Sequence, residues 1–257
     1  VVSRLLEGLR RRLVYAPDTR RPDPAACGVP GAAVGNAATA DGLALLTWYV
    51  PPATADGPQL LYLHGNGGHI GYRAGRMRRM AALGWGVLLL EYRGYGGNPG
   101  VPSEAGLWLD TQAGLDLLQR TGAPPDRTLV WGESLGTGLA VRLAAEAPIA
   151  ILLLESPYSC LSDVARWHAP LLPGGALLRG AYDAASRIAR VRCPTLVMIG
   201  EADRVIPPAL GRAMHDAITA PKQLWIAPHA GHNDLAEAGA VEAAAAFVDR
   251  HLPRRAQ

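Results

Sequence analysis

The chain has 257 residues, 49% of them hydrophobic and 18% charged, which excludes a disordered polypeptide and suffices for one large α/β domain without requiring a second. Its formal net charge is +3, and Lys222 is the single lysine among 25 basic side chains. The arginines are scattered apart from Arg10-Arg11-Arg12 and Arg76/Arg78/Arg79, and no aromatic stacking platform accompanies them, so nucleic acid is not an expected partner.

Val2, Leu5, Leu6, Leu9 and Leu13 recur at helical spacing with arginines between them, which predicts a short amphipathic helix over 2–14. Two roles fit such a helix: packing on the edge of the domain, or peripheral contact with a membrane surface. Pro17, Pro22, Pro24 and Pro30 with Gly28 and Gly31 then predict an extended lead-in to about residue 31, after which 32–257 reads as one domain. The chain opens on Val1 rather than methionine, so a preceding segment is expected to be missing. Location stays open between the cytoplasm and a membrane reached through that segment.

A turn near Asp41-Gly42 joins predicted strands over 32–36 and 43–50. After a solvent loop over 51–58, strands are predicted over 59–63, 87–91, 128–131, 149–155, 195–200 and 223–226. Helices alternate with them over 71–83, 103–120, 135–147, 208–219 and 233–251. This alternation predicts an eight-stranded, mostly parallel sheet with helices on both faces and right-handed crossovers. Ligand sites in such sheets lie beyond the carboxyl ends of the strands.

Gly132-Glu133-Ser134-Leu135-Gly136 falls where the strand over 128–131 turns into a helix. A serine there is held on a strained turn with its hydroxyl clear of both elements, and the flanking glycines keep Cβ atoms out of a tight crossing. Asp203 follows the strand over 195–200, and His232 follows the strand over 223–226. Serine, acid and histidine thus occur in the order 134, 203, 232, each after its own strand. A serine hydroxyl needs an imidazole to take its proton, and the imidazole needs a carboxylate to fix its tautomer. Ser134 is therefore the candidate nucleophile, His232 the base and Asp203 the orienting acid. His229 stays open as an alternative base and Glu201 as an alternative acid. Asp234, inside a helix start at 233, is expected to meet free N–H groups there.

Two backbone N–H groups are needed for an oxyanion. One candidate is Leu135. The other lies in His64-Gly65-Asn66-Gly67-Gly68-His69, where Asn66 is favoured over Gly67. That loop and Gly94-Tyr95-Gly96-Gly97 both lack the Gly-Lys-Ser/Thr ending and the spacing of nucleotide-binding loops. His229 and His232 have no third ligand suggested by the sequence, so no metal and no cofactor is expected. Cys27, Cys160 and Cys193 are odd in number and far apart, which leaves one disulfide open but imposes none. In Tyr92-Arg93-Gly94-Tyr95-Gly96 the arginine is expected to tie loop carbonyls together and the tyrosines to brace the nucleophile loop. Glu133 is expected to point along the elbow rather than into a cleft.

Taken together, His64-Gly65-Asn66-Gly67-Gly68, Tyr92-Arg93-Gly94-Tyr95-Gly96, Gly132-Glu133-Ser134-Leu135-Gly136, Glu155-Ser156-Pro157-Tyr158, Gly200 to Pro207 and Gly231-His232-Asn233-Asp234-Leu235 resemble the α/β-hydrolase superfamily. Within it they resemble the Bem46-like and ABHD12/13/17-like serine hydrolases. The resemblance implies an α/β-hydrolase fold, hydrolysis of a carboxyl ester or thioester through an acyl-enzyme, and the same three residues, Ser134, Asp203 and His232. It also implies frequent N-terminal membrane anchoring. Glu91 stands where that group usually has aspartate, and His69 where asparagine is common; both bear on supporting contacts rather than on the chemistry.

Between about 157 and 192 there is room only for a small cap. Tyr158, Leu161, Trp167, Leu171 and Leu177 are candidates to line an acyl pocket, with ordinary core packing the equal alternative. A compact cap favours esters of short to medium acyl chains. Thioester, lysophospholipid or monoacylglycerol, and amide hydrolysis are the alternatives, and a non-catalytic binding protein is the remote one.

Overall fold

The computed structural model describes residues 2–170 and 174–252. In chain order the first elements are α1 (Val2–Val14), β1 (Ala16–Pro17), β2 (Ala33–Ala38), β3 (Ala44–Val50), β4 (Gln59–Leu63), β5 (Gly67–Gly68), α2 (Ala74–Ala82), β6 (Gly86–Leu90) and α3 (Glu104–Arg120). There follow β7 (Thr128–Glu133), α4 (Leu135–Glu146), β8 (Ile151–Glu155), α5 (Leu161–His168), α6 (Gly174–Leu177), α7 (Ala185–Ile188), β9 (Thr195–Gly200), α8 (Pro208–Ala217), β10 (Lys222–Ala227) and α9 (Ala240–His251).

An eight-stranded sheet has the order β10-β9-β8-β7-β4-β6-β3-β2. The β2–β3 and β3–β6 pairs are antiparallel and the others parallel, so the sheet is mixed but mostly parallel. Its inner strands are nearly unbroken apolar runs because both faces are covered. On β4, Leu61 and Leu63 enter the core beneath α3, α4 and α8, while Leu60 and Tyr62 enter the core beneath α2 and α9. Strand β6 divides in the same way, with Leu88 and Leu90 on one side and Val87 and Leu89 on the other.

The chain passes from β4 to β6 on one side and later returns to place β7 on the other. The direction of winding therefore reverses between β4 and β7, and a crevice opens at their carboxyl ends. Register makes those ends level: Leu63 pairs with Gly132, and Glu133 with Glu155. The fold is that of the α/β-hydrolases.

The two glycines of the elbow are required by contact distance. A Cβ on Gly136 would lie 2.1 Å from the Leu63 carbonyl oxygen, and one on Gly132 would lie 2.7 Å from the Gly136 oxygen and from the Ala140 Cβ. Helix α4 can thus cross the ends of β4 and β7 at a distance that no other residue allows.

Two elements depart from the sequence reading. The helix expected over 233–251 begins only at Ala240, after turns over 235–239, and Gly239 precedes it at φ 107. The lead-in is not merely extended, since Ala16 and Pro17 pair in parallel with Gly67 and Gly68. Periodicity could not reveal a two-residue pairing between segments fifty residues apart. Among the described residues no helix is long and apolar enough to cross a membrane.

Gly136→Ala should destabilise the protein by about 3 kcal/mol or more, the upper range for forcing atoms into a packed interior. Gly31→Ala, where an added Cβ meets nothing within 4 Å, should change stability by less than about 0.5 kcal/mol. Urea unfolding midpoints of the two variants check both.

Candidate active site

Ser134 sits between β7 and α4 with φ 50 and ψ −117, a conformation costing an L-residue about 1–3 kcal/mol. Its N–H donates to the Glu155 carbonyl at 2.9 Å, and its own carbonyl accepts from the N–H and hydroxyl of Thr137 at 2.8 and 2.7 Å. These bonds fix the strained turn on both sides.

Asp203 follows β9, as the sequence predicts, in a loop that also needs a glycine. A Cβ on Gly200 would lie 2.4 Å from the Ala230 oxygen, so the loops after β9 and β10 touch there. His232 is carried on the second of these loops. Its Nε2 is 3.0 Å from Ser134 Oγ, and its Nδ1 is 2.7 Å from Asp203 Oδ2. A carboxylate oxygen only accepts, so Nδ1 carries the proton and Nε2 is left to accept from the serine hydroxyl. The other Asp203 oxygen accepts from the N–H groups of Val205 and Ile206, both at 2.8 Å. Burial pushes the Asp203 carboxyl up, but the bond and charge of His232 and the two N–H groups outweigh it and hold the carboxyl below its ordinary range.

The alternatives are placed elsewhere. His229 is exposed. Glu201 pairs with Arg212 at 2.6 Å, and Asp234 accepts from the Gly231 N–H at 2.9 Å rather than from a helix terminus. Cys27, Cys160 and Cys193 are free thiols. Among the described residues no three His, Cys, Asp or Glu side chains are grouped to hold a metal ion.

The loop after β4 faces the serine. A Cβ on Gly65 would lie 3.3 Å from Ser134 Cβ. Each carbonyl from His64 to Gly68 has a donor. Tyr92 Oη reaches His64 O at 3.0 Å, His64 Nδ1 reaches Gly65 O at 2.7 Å and Tyr95 Oη reaches Asn66 O at 2.9 Å. Arg73 Nη1 reaches Gly67 O at 2.9 Å, and Asp18 N reaches Gly68 O at 3.0 Å. The N–H of Asn66 makes no backbone hydrogen bond among the described residues. Leu135 is the first residue of α4, so its N–H has no partner within the helix. His64 is buried with Glu91 Oε1 3.0 Å from its Nε2, so the ring is held between that carboxylate and the Gly65 carbonyl. Glu91 Oε2 accepts from Ile70 N at 2.8 Å.

Other expectations about supporting residues are corrected. Arg93 ties carboxylates together, not carbonyls, through Asp110 and Asp41 at 2.8 Å. Tyr92 and Tyr95 brace the 64–68 loop rather than the nucleophile loop. Glu133 does line the cleft at Ser134: Arg73 holds it at 2.6 and 3.0 Å and Tyr62 Oη donates to it at 2.8 Å. Burial raises the Glu133 carboxyl, but the charge and hydrogen bonds of Arg73 prevail and leave it well below the carboxylate range. One turn along α2, Arg76 pairs with the buried Glu155, to which Trp131 Nε1 also donates at 3.0 Å. Sequence reading missed Arg73 and Ser156. Ser156 has φ 49 and donates from Oγ to Asp203 Oδ2 at 3.0 Å; its position directly after β8 was the available signal.

A cleft of about 670 Å³ opens on Ser134 and His232, bounded by the 65–68 loop, by Arg73 just before α2, by Arg76, Arg78 and Arg79 of α2, and by Glu133 and Glu237. The structure does not bring the candidate acyl-pocket residues to it. Tyr158 is fully buried and donates to Leu135 O at 3.2 Å. Leu161 packs on the core, Trp167 is 64% exposed and Leu177 accepts from Arg10 Nε at 2.6 Å. Leu171 lies outside the described residues.

The family model Hydrolase_4, described as serine aminopeptidase S33, matches residues 57–173 and 173–239. An uncharacterized Mycobacterium tuberculosis protein, Rv2307c, is 39% identical over 227 residues, 88% of this chain and 81% of that protein. The lysophosphatidylserine lipase ABHD12 of Rattus norvegicus is 32% identical over 201 residues, 68% of this chain and 49% of the rat protein, so the alignment spans about half of its length. Among solved structures, the Pyrococcus furiosus esterase Pf2001 superposes with a TM-score of 0.75 at 18% identity, covering 93% of this chain and 99% of that one. The acetyl xylan esterase of Paenibacillus sp. R4 gives a TM-score of 0.68 at 21% identity, covering 98% and 100%. The last two likenesses speak to the fold. The chain belongs to the Hydrolase_4 family of α/β-hydrolases and is related to its ABHD12-type members. Carboxylic-ester hydrolysis is the chemistry consistent with that membership.

Arg73→Met leaves Glu133 buried without its cation and should cost about 3–5 kcal/mol, most of it recovered in Arg73→Met/Glu133→Gln; denaturant unfolding measures both. Because the folded Asp203 carboxyl is depressed, its stabilisation is complete above the unfolded value of about 3.9 and fades as pH falls through the lower folded value. The unfolding free energy of wild type minus that of Asp203→Asn should therefore shrink on acidification below about pH 4.

Proposed function

We propose that the chain hydrolyses carboxylic esters through an acyl-enzyme, with Ser134 as nucleophile, His232 as general base and then acid, and Asp203 orienting the imidazole. What carries the reading is the unbroken hydrogen-bonded path from Ser134 Oγ through both His232 nitrogens to Asp203. As Oγ attacks the ester carbonyl, its proton passes to His232 Nε2. The negative oxygen is taken by the N–H groups of Leu135 and Asn66. The imidazolium then gives its proton to the departing alkoxide, and the alcohol leaves. Water, deprotonated by the same Nε2, attacks the acyl carbonyl and releases the acid. On this reading 32–257 works as one hydrolase domain with a small cap at about 157–192. Leu9 and Leu13, 49% and 57% exposed beside Arg11 and Arg12, fit peripheral contact with a membrane.

The cleft's lining bears on the substrate. Four arginines border it, and among the described residues Arg78 has no carboxylate pair; its guanidinium donates to the Cys27 and Gly28 carbonyls. A second reading therefore gives the ester an anionic group, as in a lysophospholipid, in keeping with the name of the rat relative, a lysophosphatidylserine lipase. Thioesters and amides would be attacked by Ser134 in the same steps and are separated only by assay.

Wild type should hydrolyse p-nitrophenyl acetate and butyrate, and Ser134→Ala should fall to background; equal rates remove the reading. His232→Ala should lose at least about a thousandfold in kcat, and the exposed His229→Ala no more than a few-fold. In wild type kcat/KM should decline in acid, since His232 must be neutral to accept the proton. On the second reading Arg78→Ala lowers kcat/KM for lysophosphatidylserine several-fold while sparing p-nitrophenyl acetate; equal effects on both would count against an anionic substrate.

A further inference from the structure

The loop that presents Asn66 has glycines at 65, 67 and 68, so its own sequence gives it little stiffness. An oxyanion donor nevertheless has to be held in place before the charge develops, because reorganising it during the reaction costs part of the stabilisation. The rigidity must come from outside the loop, and the hydrogen bonds identify part of the source.

Residues 14–18 run alongside the loop. Asn66 Nδ2 donates to Val14 O at 2.8 Å, and Ala16 N donates back to Asn66 O at 3.2 Å. Two residues on, Asp18 N donates to Gly68 O at 3.0 Å, and Ala16 and Pro17 stand opposite Gly67 and Gly68 in parallel register. The far end of the segment is itself tied down. Asp18 O accepts from Gly96 N at 2.8 Å, and Asp18 Oδ2 accepts from Tyr72 Oη at 3.1 Å and lies 3.6 Å from His69 Nε2. At the near end Tyr15 Oη meets Tyr182 Oη at 2.8 Å.

We infer that residues 14–18 form a positioning strap for the oxyanion loop, with the Asn66 side chain and the Ala16 N–H as the two bonds that fix the orientation of the Asn66 peptide. The inference rests on the reading of Asn66 N–H as an oxyanion donor. Neither the Asn66 side chain nor Ala16 touches the reacting atoms: the strap acts by holding the Asn66 N–H. Its bonds are present before substrate arrives, so loosening it should slow the chemical step and leave ground-state binding in place. The strap continues directly from α1, so a force on that helix would be transmitted to the oxyanion loop.

The test uses the full chain with two independent substitutions. Asn66→Ala removes the bond to Val14 O and keeps the backbone N–H. Ala16→Pro removes the N–H that reaches Asn66 O at an exposed position, and Ala16→Gly retains it. Losing an oxyanion donor outright costs about 10²–10³ in kcat, so a displaced one should cost about tenfold or more. We expect that loss in both Asn66→Ala and Ala16→Pro, with KM for p-nitrophenyl butyrate within about twofold, the acid pKa of kcat/KM unmoved and the circular dichroism spectrum unchanged. Ala16→Gly should recover most of the rate. Full kcat in a folded Asn66→Ala and a folded Ala16→Pro would overturn the strap while leaving the serine reading intact. Wild-type turnover that does not depend on Ser134 would instead overturn the reading beneath it. Should Ala16→Pro fail to fold, Asn66→Ala, whose side chain is exposed, decides alone.

Discussion

Helix α4 crosses the ends of β4 and β7 so closely that the Leu63 carbonyl oxygen lies 2.1 Å from where a Gly136 side chain would begin. The rest of the site depends on that crossing. It forces Ser134 into φ 50, ψ −117 and brings the loop after β4 beside the nucleophile. A strain of about 1–3 kcal/mol is small against the packing of a sheet covered on both faces, so the turn persists.

Around this turn the protein places charge in pairs. Glu133 and Glu155 stand opposite each other at the ends of β7 and β8, one on each side of the strained serine in sequence or in space. Two buried carboxylates that close would repel. Arg73 at the N-terminal cap of α2 and Arg76 within it meet them separately, and Tyr62 and Trp131 supply further donors. The arrangement binds α2 to the strand ends on which the nucleophile is carried. It also places guanidinium groups along the cleft, so an interaction that supports the elbow shapes the site's electrostatics as well.

The loop after β4 has the opposite problem. Ser134 is held by too tight a fit, whereas residues 65–68 have almost no side chains to be held by. Their carbonyls, with that of His64, are bound by tyrosines from the loop after β6, the His64 ring, Arg73 and the N-terminal lead-in. Four separate parts of the chain therefore converge on one short loop beside the nucleophile.

Much of this was legible in the amino-acid order. Apolar runs alternating with helical periods gave the strands, and the order serine, aspartate, histidine, each following a strand, gave the three side chains that the fold joins in one hydrogen-bonded row, with His232 3.0 Å from Ser134 and 2.7 Å from Asp203. Such signals are local, and backbone sterics and side-chain period act within a few residues. The acyl-pocket expectation shows the limit. Tyr158 and Leu161 are as apolar as pocket residues need to be, but hydrophobicity cannot distinguish a side chain that lines a cavity from one that fills the core, and both are used in packing. Arg73 against Glu133, Ser156 against Asp203 and residues 16–17 against 67–68 were likewise decided only by tertiary structure, because each joins segments separated by about fifty residues and no periodicity connects them.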